Sequence, residues 1–247
     1  MSYILENYLG TIVNFLAILV MCLLGALFKK GIPDRIVTSL NTAMAICAIY
    51  IGISGTMEQI TDHPADSFLS AGLYKALVMI VSMAVGTLIG ELIDIDKWVN
   101  RLGDFLGNKL SSDGSTFGKG FVTCSLISCI GAMAVNGAIS DSIGEPDILL
   151  AKSIIDGVTV FVMAASMGVG CAFSAFLVLI YQASITLFAD LVLSALSATA
   201  LTLMSATGSL IIILVGLNVM GVTKVRTANM VPAIFCAPLV AWLLALI

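Results

Sequence analysis

The chain of 247 residues reads as an all-α integral membrane protein, a bundle of about eight transmembrane helices with seven as the alternative count. Three observations predict this class. Hydrophobic residues make up 60% of the chain and charged ones only 11%, against about 25% charged in an ordinary soluble domain. The mean hydropathy is +1.11, which implies more apolar surface than one water-bounded core can bury, so hydrocarbon must be the solvent for much of it. The basic residues also gather in alternate connections, as they do when loops alternate between the two sides of a bilayer. Residues 1–247 then form a single polytopic domain with no room for a separate soluble one.

Apolar runs long enough to cross a bilayer fall near 9–28, 36–57, 71–92, 117–139, 149–170, 173–192, 204–221 and 228–247. The first has no basic residue before it and is kept as a membrane span rather than a cleavable signal. The fifth and sixth are joined by almost no loop at Gly168-Val169-Gly170, and 194–203 is rich in Ser, Thr and Ala, so the count is least secure there. Lys29, Lys30 and Arg35 follow the first span, Lys97, Arg101, Lys109 and Lys119 the third, and Lys224 and Arg226 the seventh. That is nine of the eleven basic residues on one side if there are eight spans, which puts both termini on the extracytoplasmic side.

Between the third and fourth spans, residues 94–116 include Trp98, Leu102, Phe105 and Leu106 on one helical face. This pattern predicts an amphipathic helix lying in the cytoplasmic interface, with Trp98 at headgroup depth. Ile51-Gly52 recurs as Val215-Gly216 in the second and seventh spans. The recurrence is compatible with an inverted repeat of spans 1–3 and 6–8, a common plan for transporters.

Asp156 carries the strongest chemical signal. It lies eight residues into the fifth span, roughly 12 Å deep at 1.5 Å per residue. An ionised carboxylate there costs about 2.5–3.5 kcal/mol even on the lenient insertion scale, so it should face the bundle interior with partners. Lys152 stands four residues earlier and can reach it. The two could serve a transport pathway, or they could simply neutralise each other and lock the fold. Ser153 and Thr159 continue the polar face, Gln182, Thr186 and Asp190 form a stripe at i, i+4, i+8 in the sixth span, and Asn136 and Asn14 add amides from the fourth and first. Each alone is ordinary interhelical glue, but together they outline a polar interior shared by several helices.

Gly86 and Gly90 present a close-packing face for another helix, within the chain or across a homodimer. Pro232 and Pro238 fall inside the last span and should bend it, with Asn229 one turn earlier placed to satisfy freed backbone. The outer connections are acidic, with Glu58, Asp62 and Asp66 in one and Asp141, Glu145 and Asp147 in another. They read either as a cation-attracting mouth or as acids left outside by default. The six cysteines all sit in apolar runs without metal-ligand spacing. No hydrolase, zinc, phosphate-binding or dinucleotide-binding motif is present. We therefore expect no enzyme, no metal, no cofactor and no nucleic-acid partner.

The segments Gly10-Thr-Ile-Val-Asn14, Lys30-Gly-Ile-Pro-Asp-Arg35, Gly144-Glu-Pro-Asp-Ile-Leu-Leu-Ala-Lys-Ser-Ile-Ile-Asp156 and Asn229-Met-Val-Pro-Ala233 resemble the bacterial membrane-protein family known as domain of unknown function 554. The resemblance covers nearly the whole chain and implies a multi-pass protein of the bacterial cytoplasmic membrane. It brings no activity with it. The residues themselves point first to a secondary transporter or permease for a small solute or ion, with proton or sodium coupling open. Asp156 would be its coupling carboxylate, Lys152 the partner, and Ser153, Asn14, Asn136, Gln182, Thr186 and Asn229 its polar surroundings. A passive channel and a non-transporting scaffold or sensor are the alternatives.

Overall fold

The computed structural model describes residues 7–29, 33–61, 71–98, 101, 114–129, 132–189, 191 and 197–244. It is helical throughout, with helices α1 (Leu9–Lys29), α2 (Asp34–Thr61), α3 (Ala71–Ile93), α4 (Gly114–Cys129), α5 (Ala132–Ser142), α6 (Asp147–Met167), α7 (Ser174–Leu187), α8 (Ala198–Met220) and α9 (Pro232–Leu244). Short 3-10 turns, Val169–Phe173 and Thr227–Met230, lead into α7 and α9.

The helix ends follow from local chemistry. α2 starts directly after Pro33, and α6 after Glu145-Pro146, because proline lacks an N–H and ends whatever precedes it. Gly168 takes φ 90° and Gly221 φ 80°, left-handed values that stop α6 and α8 cleanly. The Ser197 hydroxyl accepts from Ala200 N at 3.1 Å, so Ser197 is the N-cap of α8. Of the Ser- and Thr-rich stretch 194–203, residues 194–196 lie outside the described residues, and Ser197 and 198–203 form the cap and the start of one long helix. Two expectations change here. Pro232 opens α9 instead of bending it, since the first helical position needs no N–H. The predicted continuous fourth span is broken between Cys129 and Ala132, where α4 and α5 meet at 63°.

Seven of the helical segments are each long and apolar enough to cross a membrane, and the bent α4–α5 pair makes an eighth. Helix direction decides how that pair is used. Along α1 and α6, Gly10 meets Leu149, Asn14 meets Asp156, Cys22 meets Val160 and Gly25 meets Phe161 and Ala164. The numbers rise together, so α1 and α6 run parallel. α2 and α3 between them bring the chain to the end where α1 finishes. Only a full crossing by α4–α5 returns it to the end where α6 must begin. Among the described residues the bent pair therefore runs from one end of the bundle to the other, which brings the candidate spans from seven to eight.

The eight crossings pack as two groups. In one, α1 lies along α6 while α4–α5 lies along α7; in the other, α8 pairs with α2 and α9 with α3. Gly52 approaches Ser209 and Ile213, and Gly216 approaches Ala45 and Ile49. The offsets are the same in both directions, so α2 and α8 cross antiparallel about a local two-fold. Exchanging crossings 1 with 6, 2 with 7, 3 with 8 and 4 with 5 carries nearly every principal helix contact onto another. This is compatible with the inverted repeat that the sequence suggests.

Of the interfacial segment, residues 99–100 and 102–113 lie outside the described residues, as do 62–70 of the acidic connection between α2 and α3. Where the chain leaves α3, Asp94 adopts φ 57° and turns it sideways. Trp98 beyond it is exposed, with the Arg101 guanidinium 5.7 Å from its ring centroid.

Candidate functional site

Asp156 sits nine residues after the start of α6, about 14 Å along it at 1.5 Å per residue and so near the middle of a ~30 Å hydrocarbon core. It is 4% exposed and Lys152 6%. Both charges are thus removed from solvent. The Lys152 ammonium donates to both carboxylate oxygens at 2.8 Å, the i, i+4 geometry that the spacing predicts. From α1, Asn14 Nδ2 donates to Asp156 Oδ2 at 3.4 Å and to Gln182 Oε1 of α7 at 3.2 Å. Three helices distant in sequence thus bring one ion pair and two amides together.

The cluster is not closed. Asn14 Oδ1 and Gln182 Nε2 are buried without a hydrogen-bond partner. Turning the Asn14 amide over would set its oxygen against the Asp156 carboxylate, so the charge selects the orientation found. Each such buried orphan costs on the order of 1–3 kcal/mol. Cys129, the last residue of α4, lies within electrostatic reach of both Lys152 and Asp156.

The remaining sequence candidates are distributed as follows. Ser153 is buried but its hydroxyl donates back to Leu149 O at 2.7 Å, within its own helix. Thr186 donates to Ala138 O at 2.9 Å and ties α7 to α5. Asn136 lies on the exposed face of α5, away from the cluster, because the break before Ala132 resets the helical phase of that span. Asn229 is at the opposite end of the bundle. There its Oδ1 accepts from Asp96 N at 2.6 Å and closes the turn after α3. Beside it, Arg226 pairs with Glu91 at 2.5 Å and Asp94 at 3.4 Å. Gly86 and Gly90 face Ala233 and the Asn229 carbonyl of the same chain, so this close-packing face is used internally.

Asp141, grouped with the loop acids in the sequence, belongs to α5 and is fully buried. Its Oδ1 accepts from Gly10 N at 2.9 Å, and its Oδ2 from Thr11 N and Thr11 Oγ1, both at 2.8 Å. It caps the N-terminus of α1 from another helix, and so is not part of a cation-attracting mouth. Asn218 is a second residue that pattern reading passes over. Its Oδ1 accepts from Val225 N and Thr223 Oγ1 while its Nδ2 donates to Val225 O, which shapes the α8–α9 connection.

The family model described as "Protein of unknown function (DUF554)" matches residues 9–242. The chain is 32% identical to the "Uncharacterized membrane protein YdfK" of Bacillus subtilis (strain 168) over 236 residues, 95% of this chain and 96% of that one. It is 27% identical to the "Uncharacterized protein YqgA" of Escherichia coli (strain K12) over 235 residues, covering 93% of this chain and 94% of the relative. No solved structure matches it. A match across 9–242, with every residue of the ion-pair cluster inside it, makes this chain a multi-span membrane protein of the DUF554 family.

Proposed function

We propose that the protein is a secondary transporter or permease for a small solute or ion. In this reading Asp156 is the coupling group, Lys152 its exchangeable partner, and Asn14 and Gln182 the ligand-facing amides. The observation that carries the reading is the orphaned pair, Asn14 Oδ1 and Gln182 Nε2, beside a buried Lys–Asp contact. A network kept only for stability is selected to satisfy its members, because a buried polar group without a partner is costly. A site that must bind and release leaves partners open. A packing compatible with an inverted repeat agrees with the way many transporters are built.

We propose further that the chain lies in the bacterial cytoplasmic membrane with both termini extracytoplasmic. Lys29, Arg35, Lys97, Arg101, Lys119, Lys224 and Arg226 all belong to the end where α1 finishes, the end that the positive-inside rule assigns to the cytoplasm. No catalytic chemistry is part of this reading, nor is a cofactor or nucleic acid.

The scaffold reading has its own support, since Lys152 and Asn14 already occupy both Asp156 oxygens. Proteoliposomes loaded with a pH-sensitive dye and given a sodium or pH gradient separate the two. Asp156→Asn is expected to abolish protein-dependent proton movement while the protein stays monodisperse. If Asp156→Asn unfolds the protein and the double change Lys152→Met/Asp156→Leu restores a stable fold, the pair is structural and the transport reading falls.

A further inference from the structure

The Lys152–Asp156 pair restricts which coupling ion can act at it. Asp156 and Lys152 are 4% and 6% exposed, and the carboxylate already holds the ammonium on both oxygens at 2.8 Å. A metal cation brought to that carboxylate would meet a fixed positive charge in a medium that screens little. It would also need further oxygen ligands. Sodium sites in transporters take these from unwound helix backbone, and α1, α6 and α7 run unbroken through Asn14, Asp156 and Gln182. The Gln182 side-chain oxygen already accepts from Asn14 at 3.2 Å. A proton needs neither ligands nor volume. The other titratable groups nearby are few. α4 brings the thiols Cys124 and Cys129, with Cys171 of the following turn beside the first and Tyr181 of α7 beside the second. α1 brings Cys22, against Val160 one turn further along α6. Asp141 of α5 is committed to the first turn of α1, and α2 carries Asp34, Arg35 and Glu58 only toward its ends. Among the described residues, Asp156 is the one carboxylate paired with Lys152.

We propose that the coupling ion is the proton, not sodium, and that it passes through both side chains, from Lys152 to Asp156; this rests on the transport reading above. Lys152 lies one turn nearer the start of α6 and takes up the proton from that end. In the transfer one Nζ–H bond of the ammonium breaks and its electron pair stays on nitrogen, while an O–H bond forms on the carboxylate. The charged pair becomes a neutral amine beside a neutral acid, so no net charge is left in hydrocarbon. Oδ2 also accepts from Asn14 at 3.4 Å, which leaves Oδ1 as the oxygen that takes the proton. Asp156 then releases it toward the far end of α6, and the Lys152 amine takes up the next from the near end. A buried lysine can give up a proton in this way, whereas an arginine cannot.

The test uses the full chain in liposomes that enclose a pH-sensitive or a sodium-sensitive dye, with an imposed pH gradient in either sodium or choline salt. Proton movement is expected at the same rate in both salts. Lys152→Arg keeps the charge and the reach to Asp156 but holds its protons, so the ion pair survives and the relay does not. This variant should stay monodisperse on size exclusion and lose proton movement roughly 10²-fold, the range of a lost proton donor. A pair that acts only as a fixed charge would keep the wild-type rate. Proton movement that stops in choline, or that persists in Lys152→Arg, overturns this proposal and leaves the transport reading standing. So does wild-type protein that moves sodium but no protons. Wild-type protein that moves neither overturns both. Should Lys152→Arg fail to fold, the comparison of sodium with choline in the wild-type protein decides alone.

Discussion

Asp141 gathers three donors on two oxygens at zero exposure, all from the first turn of α1. The first N–H groups of a helix have no partner within it, and here they lie inside the bundle, where water is scarce. Removing the carboxylate strands them. Asp141→Ala is therefore expected to destabilise the protein by about 2–3 kcal/mol, the sum of a lost cap and its buried donors. Asp141→Asn keeps one carbonyl acceptor and should cost less. Thermal unfolding followed by size-exclusion in detergent ranks the two, and an Asp141→Ala protein as stable as wild type removes the capping role. The Lys152–Asp156 pair could be read from the sequence because its partners are four residues apart on one helix. Asp141 could not. Its partners lie 130 and 131 residues away, and no local spacing records a bond between the start of one helix and the end of another.

At the scale of the element, apolar run length was enough to locate seven candidate spans, since a helix is the one open-chain structure that satisfies its own backbone in lipid. The fourth run is a bent pair. What the runs do not carry is phase. Asn136 was expected among the polar surroundings of Asp156. The 63° break after Cys129 turns it outward instead. Small-residue spacing was more informative. Along α3, a Cβ added to Gly90 would overlap the Asn229 carbonyl, whereas one added to Gly72 meets nothing within 4 Å. Gly90→Ala should therefore push α3 from the Thr227–Met230 turn, break the Asn229–Asp96 bond and cost about 1–3 kcal/mol. Gly72→Ala in the same helix should be neutral or gain up to about 1 kcal/mol from propensity alone. Equal effects from the two substitutions would show that Gly90 does not supply close packing against Asn229.

For the whole molecule, the decisive fact is that α1 and α6 run the same way, because the number of crossings between them must then be odd. α2, α3 and α4–α5 supply three. Had α4–α5 entered and returned on one side, α6 would run against α1, and Asn14 and Asp156 could not meet while Gly10 touches Leu149 and Gly25 touches Phe161. The basic loops point to the same count from sequence, but by bias alone; the contacts supply the direction that a charge tally lacks. Single cysteines placed in a cysteine-free background at Tyr8, Ile143 and Val222 test it with a membrane-impermeant maleimide on intact cells. Tyr8 precedes α1, and Ile143 lies between α5 and α6 at the same end, so both should label without permeabilisation. Val222 follows α8 at the opposite end and should label only after the membrane is opened. A re-entrant α4–α5 predicts the contrary, with Tyr8 and Val222 labelled from outside and Ile143 protected. The outcome also bears on the site. Only with eight crossings does α6 descend beside α1, and that shared direction is what brings the Asn14 amide level with Asp156.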